Sequence, residues 1–177
     1  MNFTFSTLLF CLVLLVLSAV FAFGTRRWPN LWRTLPRQRI LGGIMGFACL
    51  AWSAAYAMPM FEGPTSPIRL YIKILVPVIA ILSYFFLSYI FTRALGGLLV
   101  LGVTHLLGAA FVANPGGRAV FALLCYAFAV YGLTIIVFPW IFRDMLEKAA
   151  QSRRWRYAPA SLITTLAAVM AVIALIP

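Results

Sequence analysis

Six apolar stretches, each long enough to cross a lipid bilayer, constrain this chain more than any other feature. A hydrocarbon core of about 30 Å needs roughly 20 apolar residues in a helix, because every backbone polar group must be bonded internally where water is absent. The stretches are residues 3–23, 40–61, 68–90, 94–112, 119–142 and 158–177. The sequence therefore predicts an all-α, polytopic transmembrane helical bundle with six spans.

Composition supports this prediction and excludes a water-soluble globular protein. Hydrophobic residues make up 64% of the 177 residues, against roughly 45–50% in soluble domains. The connections between the stretches leave no room for a domain outside the membrane. We therefore expect residues 1–177 to form a single integral membrane domain.

The positions of the cations predict an orientation. The chain has 14 Lys+Arg and 3 Asp+Glu, a net charge of +11, and Lys and Arg in short loops stay on the cytoplasmic side. Eleven of these cations fall on one side of the predicted spans, and only Arg69, Lys73 and Arg118 fall on the other. Both termini are thus expected outside the cytoplasm. Because the chain is compact and has no targeting signal, we expect the bacterial cytoplasmic (inner) membrane.

The basic residues also bear on partners. A sequence pI near 10.5 would suggest nucleic acid in a soluble domain, but these residues are sparse and lie between apolar stretches, so no nucleic acid is expected. Arginines in the two longer cytoplasmic loops are expected to contact anionic lipid headgroups. They are Arg26, Arg27, Arg33, Arg37, Arg39, Arg153, Arg154 and Arg156.

Breaks between the spans follow from length and turn residues. The third and fourth stretches together would be twice as long as a bilayer is thick, so we expect a tight break near Thr92 and Arg93. Residues 62–67 and 114–117 are typical of tight turns. Beyond the fifth span, Arg143 with Glu147 and Asp144 with Lys148 are spaced for i,i+4 ion pairs. That spacing predicts a helix continuing out of the membrane, kinked at Pro139.

His105, beside Thr104 in the fourth stretch, is the most suggestive polar residue. Ionisable side chains inside a membrane are rare and usually face the bundle interior. One interpretation is a neutral histidine hydrogen-bonded to a neighbouring helix, and the other is a proton relay or a contact to haem or quinone. The chain has one histidine, so it cannot supply two haem ligands. No cofactor is predicted for the chain alone, and a cofactor shared with a partner subunit stays open.

A second candidate site lies at the predicted outer end of the third span. Arg69 and Lys73 are four residues apart and share a helix face. With Arg118 across the outer side and Glu62 as partial counter-charge, they form a candidate cationic site for a lipid phosphate or an anionic substrate. The alternative is that both cations extend to the outer headgroups.

Small residues at helical spacing predict close packing between spans. Lipid gives helices no hydrophobic drive to associate, so glycines that allow close approach are favoured at contacts. The candidates are Gly42, Gly46, Gly97 and Gly108. Cys11, Cys49 and Cys125 lie within spans and without metal-site spacing, which is typical of small apolar fillers; no metal site is predicted.

No enzyme motif occurs in the sequence, and no carboxylate pair lies within a span. We therefore expect a noncatalytic multi-span membrane protein that is a subunit or accessory component of a larger inner-membrane assembly. Its expected partners are anionic lipids and other membrane subunits, or further copies of itself. The alternative is a small transporter or channel for an anionic or lipid-like substrate, and an enzyme acting on lipid ranks last.

Overall fold

The structure, a computed structural model, describes residues 3–28, 30–60 and 67–175. This described part is almost entirely helical and contains no strand. Its α-helices are α1 (Phe3–Ala19), α2 (Thr25–Arg27), α3 (Leu31–Thr34), α4 (Arg39–Ala57), α5 (Pro67–Phe86), α6 (Ile90–Ala113), α7 (Arg118–Val137), α8 (Pro139–Gln151) and α9 (Arg153–Leu175). A π-helical turn, Val20–Gly24, joins α1 to α2.

Five helical segments among the described residues are long and apolar enough to cross a membrane. They are Phe3–Arg27, Arg39–Ala57, Ile90–Ala113, Arg118–Val137 and Arg153–Leu175. The third predicted span forms α5, whose described apolar part, Leu70–Phe86, is shorter than these five. The chain is therefore an all-helical protein with five candidate membrane-spanning helices.

The break between α5 and α6 lies before the predicted position. The chain turns at residues 87–89, and Thr92 and Arg93 belong to the first turns of α6. Tyr89 adopts the left-handed conformation, with φ 59° and ψ 38°, which is uncommon for a residue other than glycine. The Arg37 guanidinium lies over its ring at 5.5 Å from the centroid. This contact comes from a distant part of the chain, so the local sequence pattern does not reveal it.

The fifth apolar stretch, predicted as residues 119–142, is divided between two helices in the structure. Helix α7 ends at Val137, Phe138 is non-helical with φ −118° and ψ 70°, and Pro139 begins α8. Proline disfavours helical geometry in the residue before it and suits the first position of a helix, so α8 is a separate helix. Neither predicted i,i+4 ion pair is seen among the described residues, where Arg143 instead pairs with its neighbour Asp144 at 2.8 Å.

Helices α1 and α9 pack antiparallel through a ladder of hydrogen bonds. Side chains seven residues apart on α1 donate to backbone carbonyls seven residues apart on α9, because residues at this spacing share one helix face. The bonds run from Thr4 to Ala174 (3.1 Å), from Cys11 to Ala167 (3.3 Å) and from Ser18 to Ala160 (2.9 Å). Alanines leave these carbonyls accessible, so the ladder fixes the register of the two helices.

Helix α6 is central and packs against α1, α4 and α7. A Cβ atom placed on Gly96 would lie 2.6 Å from the carbonyl oxygen of Gly132 on α7. Likewise, a Cβ on Gly102 would lie 2.7 Å from the Phe10 ring on α1. The backbone of α6 can approach both neighbours only because these positions have no side chain.

Helices α4 and α6 run parallel, with α5 returning antiparallel beside α4. Near the start of α4, a Cβ on Gly42 would lie 2.5 Å from the backbone nitrogen of Phe91, and near its end Tyr56 contacts His105. On the other side of α4, Gly43 lies against the Tyr84 ring of α5. None of the α5 side chains described, residues 70–86, is buried. Helix α5 is therefore the edge of the bundle.

The bundle has two chemically different ends. The arginine end contains α2, α3 and α8 and the starts of α4, α6 and α9. The opposite turn end contains the connection from α6 to α7, where Asn114 and Gly117 have φ 45° and 83°. This connection is a tight turn, as predicted, whereas the predicted turn at 62–67 falls largely outside the described residues.

Candidate functional site

The His105 centre forms where three helices meet. Helix α6 directs the imidazole between α1 and α4, where Nδ1 hydrogen-bonds with the Tyr56 hydroxyl and Nε2 lies 3.2 Å from the Ser6 Oγ. A neutral imidazole has one donor and one acceptor nitrogen, and hydroxyls can serve either. Both ring nitrogens thus have hydrogen-bond partners, and Tyr56, His105 and Ser6 form one hydrogen-bonded network.

Aromatic rings pack against the imidazole of this hydrogen-bonded network. The Trp52 ring meets the imidazole edge-on, with 6.1 Å between centroids, and Tyr56 does the same at 6.1 Å. Ser6 is buried, with 4% of its surface exposed. Tyr56 has 43% of its surface exposed, so the hydrogen bond of His105 to Ser6 is the more shielded of the two.

Two clefts meet at His105. An apolar cavity of about 100 Å³ between α1, α4 and α6 has Phe10, Trp52 and Leu98 in its walls. A wider cleft of about 540 Å³ toward the turn end has Tyr56, Thr104 and Gly108 in its walls. The imidazole lines both. Chemically, this arrangement can exchange a proton by reversing both hydrogen bonds, or offer a polar edge to a flat apolar ligand.

A haem at this position would require rearrangement. Each nitrogen of His105 already has a hydrogen-bond partner, so axial ligation would displace Tyr56 or Ser6. Among the described residues, no group of three His, Cys, Asp or Glu side chains could hold a metal ion. Thr104 is not part of the hydrogen-bonded network around His105, because its hydroxyl donates to the Val100 carbonyl of its own helix at 2.9 Å.

The glycines predicted to pack have different surroundings. Gly42 lies in very close contact with α6, while Gly46 and Gly97 have neighbours at 3.9 Å, an ordinary contact distance. A Cβ on Gly108 would have no atom within 4 Å. The close contacts of Gly96, Gly102 and Gly132 with neighbouring helices were not predicted from the sequence. Small residues on both α6 and α7 were the available signal.

The described members of the candidate outer cationic site, Lys73 and Arg118, lie on different helices. Lys73 is exposed on α5, which packs against α4, whereas Arg118 begins α7, which packs against α6. Arg118 donates to the Asn114 side chain at 3.2 Å and lies over the Phe111 ring. Glu62 and the side chain of Arg69 lie outside the described residues.

The arginines expected at lipid headgroups do cluster at the arginine end. Most are exposed: Arg26, Arg27, Arg33, Arg37, Arg39, Arg153 and Arg154. Arg156 is partly buried and uses Nε and Nη2 on the carbonyls of Ala149 and Ala150, at 3.1 and 3.2 Å. It therefore satisfies the last carbonyls of α8, which have no partner within that helix.

One polar cluster at this end was not predicted. Arg37 and Arg143 each donate to the Tyr89 hydroxyl at 3.4 Å. The hydrogen bond from Arg37 lowers the pKa of Tyr89, and Arg143 acts in the same direction. The hydrogen bond to Asp144 raises the pKa of Arg143. No local pattern signals this cluster, because its members come from three separate segments.

Comparison with protein-family models, with curated proteins and with solved structures gives no match for this chain.

Proposed function

We propose that this protein is a noncatalytic integral membrane protein that serves as a subunit of a larger membrane assembly. The observation that carries the proposal is the isolation of α5. This helix packs against α4, and none of its described side chains is buried. A helix held by one neighbour on one face gains little from the rest of its own bundle, so a helix of another subunit would stabilise it.

The outer face of α4 supports the same proposal. Residues at helical spacing there are small and exposed: Ala48, Ala51 and Ala55. Lipid-facing positions need no small residues, whereas a helix interface in a membrane favours them because the backbones can approach. Helix α4 is also the least covered of the five candidate spans, with 17% of its window buried.

The proposal includes six crossings and a bacterial inner-membrane location with both termini outside the cytoplasm. Helices α4 and α6 are parallel, and α5 runs between them in the opposite direction, which supports a return crossing by α5. The cationic loops fall at the arginine end, which the positive-inside rule assigns to the cytoplasm. This orientation can be tested with single cysteines introduced at Asn114 and Asn30, by measuring their reaction with a membrane-impermeant reagent.

Native mass spectrometry of gently solubilised membranes tests the assembly. We expect the protein in a complex heavier than its own 19.6 kDa. A bulky substitution on the exposed small face, Ala51→Phe, should release it from that complex. The matched control is Leu162→Phe on the exposed face of α9, where 60% of the leucine surface is exposed. A lone chain under all mild conditions, or equal behaviour of both variants, would contradict the proposal.

A second candidate function is a small transporter or channel for an anionic or lipid-like substrate. The observation that favours it is Lys73, which is exposed on α5 near the turn end, whereas the described carboxylates, Asp144 and Glu147, lie at the arginine end. A cation in an apolar helix with no ion-pair partner among the described residues suits an anionic ligand. Flux and lipid-translocation assays of reconstituted Lys73→Ala and Arg69→Ala variants test this function, and unchanged transport in both would reject the site.

A further inference from the structure

Two clefts adjoin each other at the arginine end, and they have opposite chemical character. The Tyr89 cleft has a volume of about 360 Å³ and is lined by Arg37, Arg39, Ser88 and Tyr89. The inner groove, about 190 Å³, runs between α4, α5 and α6 and is lined largely by apolar and small residues. Leu87 and Ile90 line both, so the polar cleft and the apolar groove are adjacent.

Positive charge accumulates where the two clefts meet. Arg37 and Arg143 contact the Tyr89 hydroxyl, Arg39 lines the Tyr89 cleft, and Arg93 lines the inner groove. The one carboxylate that faces this cluster among the described residues is Asp144, which pairs with Arg143. The other three arginines form no ion pair with a described residue, so the cluster has an excess of positive charge.

Arg93 has a buried donor with no partner. Its Nε is fully shielded and forms no hydrogen bond with any described residue. Buried donors are almost always satisfied, and each exception calls for an explanation. A guanidinium is also costly to keep unpaired beside an apolar groove. Other atoms of Arg93 line the inner groove, where an anion would offset the charge of the guanidinium.

We propose that the arginine end binds one anionic phospholipid, with its phosphate at Arg37, Tyr89 and Arg93 and an acyl chain in the inner groove. Guanidinium groups match the geometry of phosphate oxygens and form charge-assisted hydrogen bonds with them. The groove beyond Arg93 reaches Gly46 and Gly97, where the missing side chains leave room for a chain of methylene groups. This site differs from headgroup contacts by exposed arginines in general, because it assigns specific atoms to both parts of one lipid.

Lipid titration of the full chain in mild detergent, followed by native mass spectrometry, tests the proposal. We expect one phosphatidylglycerol to remain bound in preference to phosphatidylcholine. Arg37→Gln should weaken this binding roughly tenfold, since a hydrogen bond to a charged group is lost. The matched control, Lys148→Gln, removes one positive charge from an exposed residue on α8 that lines neither cleft, and it should leave binding unchanged. Equal losses in both variants would mean nonspecific attraction and would overturn the proposal.

A second variant distinguishes binding of a whole lipid from binding of free phosphate. Ala80→Leu adds bulk to the inner groove without changing any charge, and it should also weaken phosphatidylglycerol binding. Excess inorganic phosphate should fail to displace the lipid, because it cannot occupy the groove. Displacement by inorganic phosphate, or full binding by Ala80→Leu, would contradict a lipid site. Size-exclusion profiles matching the unaltered protein establish that each variant is folded.

Discussion

The Tyr56 hydroxyl on α4 and the Nδ1 atom of His105 on α6 are hydrogen-bonded across two parallel helices. The same helices touch at Gly42 and Phe91, and both contacts are separated by 14 residues along each helix. That interval is about 21 Å of helix. The polar contact and the glycine contact therefore fix one register at the two ends of the α4–α6 interface.

Removal of the Tyr56 hydroxyl should destabilise the bundle modestly. Interhelical hydrogen bonds in membrane proteins contribute on average about 0.6 and at most about 1.7 kcal/mol, so Tyr56→Phe should lower the unfolding free energy within that range. Unfolding in detergent measures this change. Tyr126→Phe, at a tyrosine with 59% of its surface exposed on α7, is the control. If His105→Leu removes the effect of Tyr56→Phe in a double-mutant cycle, the contact is the cause.

Close packing of α6 on α7 should tolerate no added side chain. Gly96→Leu places a branched chain where a Cβ alone would lie 2.6 Å from the Gly132 carbonyl oxygen. We expect a loss of about 1–3 kcal/mol or more, as is usual for overpacked sites, measured as a lower thermal midpoint in detergent. Gly108→Leu on the same helix, where a Cβ would meet no atom within 4 Å, should be tolerated. Similar midpoints for both variants would contradict the close contact.

The ladder between α1 and α9 predicts a position-dependent effect of serine removal. Ser18 donates to the Ala160 carbonyl and lies 2.8 Å from the Thr164 hydroxyl, so Ser18→Ala should cost roughly 0.6–1.7 kcal/mol. The Ser161 hydroxyl donates to the Ala158 carbonyl of its own helix, so Ser161→Ala should have little effect. Disulfide cross-linking between cysteines placed at residues 4 and 174 reports on helix register. Equal effects of the two serine variants would argue against an interhelical role.

Anchoring of α8 should depend on its buried aromatic residue. Phe142 is fully buried and meets the Phe21 ring edge-on, with 5.9 Å between centroids. Phe142→Ala should therefore destabilise the protein by about 3–5 kcal/mol, the usual cost of removing a core phenylalanine. Limited proteolysis near α8 should accelerate as well. Trp140→Ala, at a half-exposed site on the same helix, is the control, and faster cleavage in that variant alone would contradict this anchoring.

Titration of Tyr89 should occur at lower pH than that of an ordinary tyrosine. The Arg37 hydrogen bond, and then Arg143, favour the phenolate and lower its pKa. Because the pKa of Tyr89 is lower in the folded than in the unfolded protein, its ionisation stabilises the folded state. The full contribution is present at pH values above the unfolded-state pKa, and it is lost as the pH falls through the folded-state pKa. Ultraviolet difference titration of the protein against Tyr89→Phe measures the shift. Arg37→Gln should move the transition back upward, and an unchanged transition would reject the assigned cause.

The length of the hydrophobic stretches and the placement of the cations between them are enough to predict a helical membrane protein from the sequence. Each candidate span is a local property, since about 20 apolar residues must form an internally bonded helix in lipid whatever lies beside them. The turn at Asn114–Gly117 is equally local, because its backbone needs residues that tolerate positive φ. These features require no knowledge of neighbouring helices.

Which residues meet depends on the tertiary structure alone. His105 stood out in the sequence, but its partners Ser6 and Tyr56 were not identifiable, because they lie 99 and 49 residues away. The same holds for Gly96 against Gly132 and for the arginines around Tyr89. The length of an apolar stretch predicts that a helix enters the membrane. It does not predict which side of the helix contacts protein, because lipid and apolar protein surfaces are nearly equivalent surroundings. Register and helix order are therefore set by close backbone contacts and interhelical hydrogen bonds, which exist only once the bundle has formed.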